Sequence, residues 1–230
     1  MEFIFMLTRD DQTVKDCLNV LAEIEDVPLK HIGFKDIGVT PEVLRELHTR
    51  IKARGAATHL EVVSTNRDAA LQSAKMAVDL GVDYLLGGTF VDETLEILSG
   101  SNVQYLPFPG QPTGHPTKLG GTPEEVAAQC TAFEQAGAAG VDLLAFRATD
   151  ANPLDLIKAA RKATQGTLVV AGSIASISQI EALAAAGVDA FTIGQAAFTG
   201  TISPRFGSLR SQLQEALTAA AATAKSSALN

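Results

Sequence analysis

Three ionisable side chains lie in segments of the sequence that otherwise have the pattern of buried β-strands. They are Lys35 in HIGFKD, Glu61 in THLEVVS and Arg147 in DLLAFRA. Side chains of a strand alternate between its two faces, so packing the apolar side chains against covering helices turns these three to the opposite face. The alternation therefore predicts that a lysine, a glutamate and an arginine converge inside the fold.

These residue types suit acid–base chemistry on an anionic carbon compound. Glu61 can act as a general base or acid. Lys35 can stabilise an enolate, transfer a proton or, if its pKa is lowered, form a Schiff base. Arg147 can bind a carboxylate, a phosphate or an enediolate oxygen. Because a buried charge needs a partner, a purely structural salt-bridge network is the alternative interpretation.

The elements that would position these side chains form a repeated strand–helix pattern. Eight apolar segments of strand length each precede a helix-like stretch, and several helix starts combine a capping residue with a following proline, at Thr40, Thr122 and Asn152. We therefore predict an α/β fold, a parallel eight-stranded (β/α)8 TIM barrel, with a doubly wound sheet as the main alternative. The barrel is expected to form one domain over residues 1–230, with a frayed tail from about residue 222.

Two turns that contain glycine follow the seventh and eighth predicted strands. They contain Gly172 and Ser173 in TLVVAGS, and Gly194 and Gln195 in AFTIGQ. In many barrels the backbone N–H groups of these two turns bind the oxygens of a phosphate. We therefore expect these four residues to bind the phosphate group of a substrate.

The loops after the first and fifth predicted strands supply further polar residues. The fifth loop is the longest, is rich in proline and glycine, and contains His115, which we take as a further candidate catalytic residue. Asp10 and Asp11 follow the first strand, and we expect one of them to cap the first helix.

Composition argues against several classes of function. A net charge of −8 over 230 residues argues against a nucleic-acid partner. The apolar run FIFML is too short for a signal sequence or a membrane span, so no membrane partner is expected. The two cysteines lack metal-ligand spacing and are interpreted as reduced thiols of a cytoplasmic protein. No cofactor is predicted, although Glu61 together with an aspartate could bind Mg²⁺.

The segment VVAGSIASISQIEALAAAGVDAFTIGQAAFTG resembles the C-terminal quarter of the ribulose-phosphate-binding barrels. This superfamily carries an AGGI-like turn, GAD and VGxAI where the present sequence has AGSI, GVD and IGQAAF, and SPRFGSLRSQL resembles the last helix of its decarboxylase group. The resemblance implies a phosphate-bearing substrate bound by the two glycine turns and, since such barrels often pair, a homodimer. The decarboxylase group has Asp-x-Lys-x-x-Asp where the third strand here contains HLEVVS, so the resemblance implies no single reaction.

The site chemistry leaves three functional hypotheses. The first, which the site chemistry favours, is an isomerase or epimerase of a phosphorylated sugar or sugar acid, in which Glu61 and Lys35 exchange protons across an enediolate. The second is a lyase, either an aldolase or a decarboxylase of a phosphorylated sugar acid, that uses Lys35. The third is a non-catalytic protein that binds a phosphorylated metabolite. All three predict an anionic phosphorylated small molecule as the partner.

Overall fold

Eight parallel strands form the centre of the protein, and we number them β1–β8 along the chain. The computed structural model describes residues 1–205 and 207–227, with side chains as far as residue 223. The strands are β1 Glu2–Met6, β2 His31–Lys35, β3 Ala57–Val62, β4 Tyr84–Gly87, β5 Gln104–Leu106, β6 Gly140–Leu143, β7 Thr167–Val170 and β8 Ala190–Ile193.

The strands follow one another in the order β6-β7-β8-β1-β2-β3-β4-β5 and curl into a nearly closed barrel. Backbone hydrogen bonds bridge β5 and β6, where Ala139 N–H donates to Tyr105 O at 2.9 Å and Asp142 N–H donates to Pro107 O at 3.0 Å. A doubly wound sheet would reverse its strand order at a switch point, and this eight-stranded sheet does not. The predicted (β/α)8 barrel is therefore confirmed.

Helices connect the strands and cover the outside of the barrel. They are α1 Cys17–Glu23, α2 Pro41–Ala53, α3 Arg67–Leu80, α4 Val91–Leu98, α5 Pro123–Ala136, α6 Pro153–Ala163, α7 Ile177–Ala185, α8 Gln195–Thr199 and α9 Leu209–Ser227. The predicted caps at Thr40, Thr122 and Asn152 are confirmed, because each side chain accepts a hydrogen bond from a backbone N–H of the first helical turn.

The last helix, α9, continues almost to the end of the chain. The tail predicted to fray from about residue 222 is helical as far as Ser227, and residues 228–230 lie outside the described residues. Within the described part of the chain, every helix is too short or too polar to cross a membrane.

Apolar side chains pack in two regions that the strands separate. The inner region, inside the barrel, consists of Ile4, Met6, Leu86, Leu106, Val169 and Ala190. The outer region lies between strands and helices and includes Phe34 of β2 and Leu60 of β3. Alternation along these strands then turns Lys35 and Glu61 into the barrel, as the sequence pattern predicts.

Two short hairpins extend the loops at the C-terminal end of the barrel. The first hairpin, residues 8–13, follows β1, and the second hairpin, residues 111–120, follows β5. Asp10 and Asp11 form the turn of the first hairpin with φ values of 50° and 60°, a left-handed conformation that aspartate tolerates better than most residues. The expectation that one of them caps α1 is wrong, because Asp16 occupies that N-cap position.

Candidate active site

A cavity of about 310 Å³ opens at the C-terminal ends of the barrel strands. Its wall is formed by the first hairpin, by the turn after β6 and by the turns after β7 and β8, while Lys35 and Glu61 contribute to its floor. Active sites of (β/α)8 barrels lie at this end, because the loops after all eight strands meet there. The cavity is therefore the candidate active site.

Lys35 lies between two carboxylates in this cavity. Its Nζ donates hydrogen bonds to Asp11 Oδ1 at 2.6 Å and to Glu61 Oε1 at 2.8 Å, and all three side chains are almost fully buried. Lys35 and Glu61 are register partners on β2 and β3, so strand pairing brings them together. Asp11 comes from the first hairpin, which Thr13 anchors by accepting from Lys35 N–H at 2.8 Å and donating to Lys35 O at 2.9 Å.

Arg147 reaches the same aspartate from the turn after β6. Its Nη1 donates to Asp11 Oδ2 at 2.8 Å and its Nη2 donates to Asp11 Oδ1 at 3.0 Å, which is the bidentate arrangement that suits a guanidinium and a carboxylate. Thr117 of the second hairpin accepts from Nη1 at 3.2 Å through its backbone oxygen and donates its N–H to Asp11 Oδ2 at 3.1 Å. Asp11 therefore connects three loops of the site.

The charges of this cluster stabilise one another's ionised forms. Burial raises the pKa of the Asp11 carboxyl, but hydrogen bonds and charges from Arg147 and Lys35 outweigh burial and leave that pKa well below its usual value. Burial lowers the pKa of Lys35, but the charges of Glu61 and Asp11 outweigh burial and raise it above its usual value. Lys35 is therefore an ammonium group at neutral pH.

A third carboxyl group, that of Asp142, lies inside the barrel near this cluster. Its register partner on β7 is Val169, a member of the inner region. The residue is fully buried, and within the described residues neither carboxyl oxygen has a hydrogen-bond partner. Burial, and then the charge of Glu61, raise the pKa of Asp142 well above its usual value, against the opposing charges of Lys35 and Arg147.

The four residues predicted to bind phosphate all line the cavity. Gly172 and Ser173 have φ values of 78° and 59°. A Cβ at Gly172 would lie 2.5 Å from Nε of Arg147, and a Cβ at Gly194 would lie 2.9 Å from the backbone oxygen of Thr8. Both glycines thus have a packing reason to be there, which leaves phosphate binding a prediction.

Gln195 has a structural contact in addition to its place in the wall. Its Oε1 accepts a hydrogen bond from Asp10 N–H at 2.9 Å, so the amide joins the turn after β8 to the first hairpin. The side-chain oxygen of Gln195 is therefore already occupied by a hydrogen bond within the protein.

The structure brings Lys35, Glu61 and Arg147 together. Arg147 lies in a turn and not on a strand, which the sequence pattern does not predict. Strand β6 ends at Leu143, and Ala145–Arg147 form a 3₁₀ turn instead of continuing the strand. His115 is exposed in the second hairpin and does not line the cavity, although the adjacent Pro116 does, so a catalytic role for His115 stays a prediction.

Asp11 belongs to the cluster and Asp142 lies buried beside it, but neither is a candidate from the sequence. The consecutive aspartates between Arg9 and Gln12 are a turn signal, because aspartate tolerates positive φ, and that signal could have indicated the hairpin. If β6 is taken to begin at Gly140, Val141 and Leu143 point outward and Asp142 points into the barrel, so this start of the strand would have identified Asp142. The strand predicted from the sequence instead spans residues 142–148 with Leu144 and Phe146 outward, and the same alternation then turns Asp142 outward.

The described residues contain no group of three or more His, Cys, Asp or Glu side chains arranged to hold a metal ion. Asp11 Oδ1 and Glu61 Oε1 accept hydrogen bonds from Lys35. Binding of Mg²⁺ stays a prediction.

Comparison with known proteins yields structural similarity without similarity of sequence. No protein-family model matches the chain, and no curated protein sequence matches it significantly. The native KDPGal aldolase structure superposes with a TM-score of 0.70 at 11% identity, over 98% of this chain and 97% of that chain. Orotidine 5'-phosphate decarboxylase from Pyrococcus horikoshii OT3 gives a TM-score of 0.64 at 12% identity, over 95% and 98%. A chain of the Amycolatopsis orientalis BexX/CysO complex gives 0.60 at 17%, over 98% and 92%.

At these identities the likeness establishes the fold alone. The fold is the barrel that the resemblance to the ribulose-phosphate-binding barrels implies, and that expectation is confirmed.

Proposed function

We propose that this protein is a lyase that cleaves a carbon–carbon bond of a phosphorylated sugar acid. The observation that carries the proposal is Lys35 Nζ, held at 2.6 Å and 2.8 Å from two carboxylates in the cavity at the C-terminal end of the barrel. The similar structures include KDPGal aldolase and orotidine 5'-phosphate decarboxylase, which supports the lyase hypothesis better than the isomerase or epimerase hypothesis that the sequence alone favours.

The protonation state of Lys35 favours one type of lyase mechanism. A Schiff base needs a neutral amine, and the raised pKa of Lys35 keeps its side chain an ammonium group. An ammonium group instead suits two tasks, which are stabilising a carbanion or enolate by its charge and donating a proton to it. We therefore assign Lys35 the role of general acid.

The groups present in the site account for the protons and electron pairs of both possible lyase reactions, a decarboxylation and an aldol cleavage. In a decarboxylation, the bond between the carboxyl carbon and its neighbour breaks, CO₂ leaves, and the electron pair stays on carbon as an enolate. In an aldol cleavage, Glu61 takes the proton of a hydroxyl group, an aldehyde leaves, and the same kind of enolate forms. In both cases the Lys35 ammonium donates its proton to the enolate carbon, and the Arg147 guanidinium stabilises the developing oxygen charge.

The phosphate of the substrate is assigned to the turns after β7 and β8. Backbone N–H groups of Gly172, Ser173, Gly194 and Gln195 are the donors proposed for its oxygens. Among the described cations that line the cavity, Arg9 is the one outside an ion pair, and it supplies positive charge at this side.

The proposal is tested by product analysis with a panel of phosphorylated sugar acids. We expect the wild-type protein to release CO₂ or an aldehyde from at least one of them, and Lys35→Gln to lower kcat by about 10²–10⁴-fold, the usual contribution of a general acid. Glutamine keeps hydrogen-bond donors between the two carboxylates but has no acidic proton. Lys15→Gln changes an exposed lysine and is the matched control, with unchanged kcat.

Two results would contradict the role of Lys35 as the general acid of this lyase. One is release of products by Lys35→Gln at the wild-type rate. The other is a covalent Lys35 adduct after borohydride reduction in the presence of substrate, because an adduct would show that Lys35 reacts as a neutral amine.

A further inference from the structure

Asp142 is a buried titratable group to which the proposed lyase reaction assigns no task. It is fully buried on the inner face of β6 and does not line the cavity, although the site's Glu61, Lys35 and Arg147 all act on it through their charges. Asp142 therefore lies beneath the cavity floor, out of reach of a substrate, and close enough to the floor to influence its charge.

The surroundings of Asp142 offer it no compensation as a carboxylate. The charged groups that face it are Glu61 from β3, Lys35 from β2 and Arg147 from the turn after β6. The side chain beside it on β7 is Val169, and the inner region around it is apolar. Among the described residues, neither of its oxygens accepts a hydrogen bond from any donor.

Without Asp142, the charged cluster of Lys35, Arg147, Asp11 and Glu61 has no net charge. Lys35 and Arg147 carry two positive charges, and Asp11 and Glu61 carry two negative charges, in ion pairs of 2.6–2.8 Å. An ionised Asp142 would add a fully buried negative charge with no donor, which costs far more than the neutral acid does. A neutral Asp142 leaves the cavity floor without net charge, and an ionised Asp142 makes the floor repel anions.

We propose that Asp142 is a positioning residue that stays a neutral carboxylic acid in the resting protein and whose ionisation weakens the binding of the anionic substrate. The effect on substrate depends on the proposed lyase function, whereas the neutral state of Asp142 does not. Asparagine has the same shape and is neutral at every pH, so Asp142→Asn preserves the state that binds substrate.

Infrared difference spectroscopy of protein labelled with [¹³C]aspartate tests the neutral state directly. A protonated aspartic acid gives a C=O stretching band that carboxylates do not give. We expect one such band in the wild-type protein at pH 7, its loss as the pH is raised, and its absence from Asp142→Asn. A wild-type spectrum without the band would overturn the proposal. This result needs neither a substrate nor a folded variant, so it is independent of the lyase function.

The pH dependence of KM tests the effect on substrate, with the panel compound that is turned over. Above the pH at which the band disappears, we expect the wild-type KM to rise with pH, by up to about tenfold per pH unit, because one pH unit changes the protonated fraction tenfold. The KM of Asp142→Asn should stay within about twofold over the same range, with kcat at pH 7 close to that of the wild type.

Two kinetic results would overturn the proposal. One is a KM of Asp142→Asn that rises in step with the wild-type KM. The other is a loss of about 100-fold or more in kcat at pH 7, because such a loss would mean that the reaction needs the ionised carboxylate. If no panel compound is turned over, the lyase function fails and the infrared band still decides the state of Asp142.

Discussion

At the level of single residues, Asp11 holds the charged cluster together. It accepts hydrogen bonds from Lys35 Nζ, from both terminal nitrogens of Arg147 and from Thr117 N–H. Removing one member of a buried ion pair leaves the other charge buried and unpaired, which is far more costly than the pair itself. Losing the carboxylate of Asp11 would affect two cations at once.

Asp11→Asn is therefore predicted to destabilise the protein strongly. We expect the free energy of unfolding at pH 7 to fall by about 3–5 kcal/mol, measured by urea denaturation. Because the pKa of Asp11 is lowered in the folded state, its stabilisation is complete above the unfolded-state pKa of about 4 and is lost as pH falls through the folded-state value. The difference between wild type and variant should shrink accordingly on acidification.

Asp10→Asn is the matched control for this prediction. Asp10 is the adjacent residue, is exposed and has a φ of 50°, which asparagine tolerates as well as aspartate does. We expect its free energy of unfolding to lie within about 0.5 kcal/mol of wild type. Equal losses at the two positions would contradict the role of Asp11 as the shared anion.

The sequence predicts some residues of the site and misses others for a physical reason. Lys35 and Glu61 are predictable because they lie on regular strands, where alternation alone decides which face a side chain occupies. Asp11 lies in a hairpin turn, and Asp142 precedes a 3₁₀ turn that interrupts the alternation expected for its segment. A pattern of period two gives no information where the backbone leaves the extended conformation.

At the level of elements, the turns after β7 and β8 combine a packing role with the proposed phosphate site. The Arg147 side chain packs directly against Gly172, where a Cβ atom would collide with it. Replacing this glycine would therefore displace the guanidinium and would disturb the charged cluster together with any phosphate site. Ser173 is the better position for a test, because it is exposed and lines the cavity.

Ser173→Asp is predicted to weaken the binding of inorganic phosphate. Like charges about 4 Å apart repel by about 1–4 kcal/mol at effective dielectric constants between 80 and 20, so we expect Kd to rise at least about fivefold, measured by titration calorimetry at fixed ionic strength. Ser173→Asn is the control, because asparagine has the same shape as aspartate, tolerates the φ of 59° and carries no charge. Phosphate affinity that is equal in the two variants would remove the turn after β7 from the phosphate site.

Element boundaries show where local signals suffice. The caps at Thr40, Thr122 and Asn152 are predictable, because the hydrogen bond from a side chain to the next turn needs only neighbouring residues. The end of β6 is less predictable, because the apolar residues after Leu143 fit a buried strand as well as a buried turn. There the packing of the loop over the barrel determines the conformation.

At the level of the whole molecule, barrel closure assembles a site from residues that are distant in sequence. Asp11 and Arg147 are 136 residues apart, and their contact depends on the meeting of the loops after β1 and β6 at one end of the barrel. The repeated strand–helix pattern predicts this architecture, since parallel strands joined by helices all end on the same side. Which loop side chains meet depends on loop conformations that no periodic pattern encodes.

The most direct test of the central claim is ¹³C and ¹H NMR of the wild-type protein with the phosphorylated sugar acids in D₂O. We predict that one compound loses a carbon–carbon bond and that its product carries a single deuterium at the carbon where the bond was broken, delivered from the Lys35 ammonium. Deuterium incorporation into an intact carbon skeleton, with an isomer or epimer as the product, would contradict the claim that the protein is a lyase.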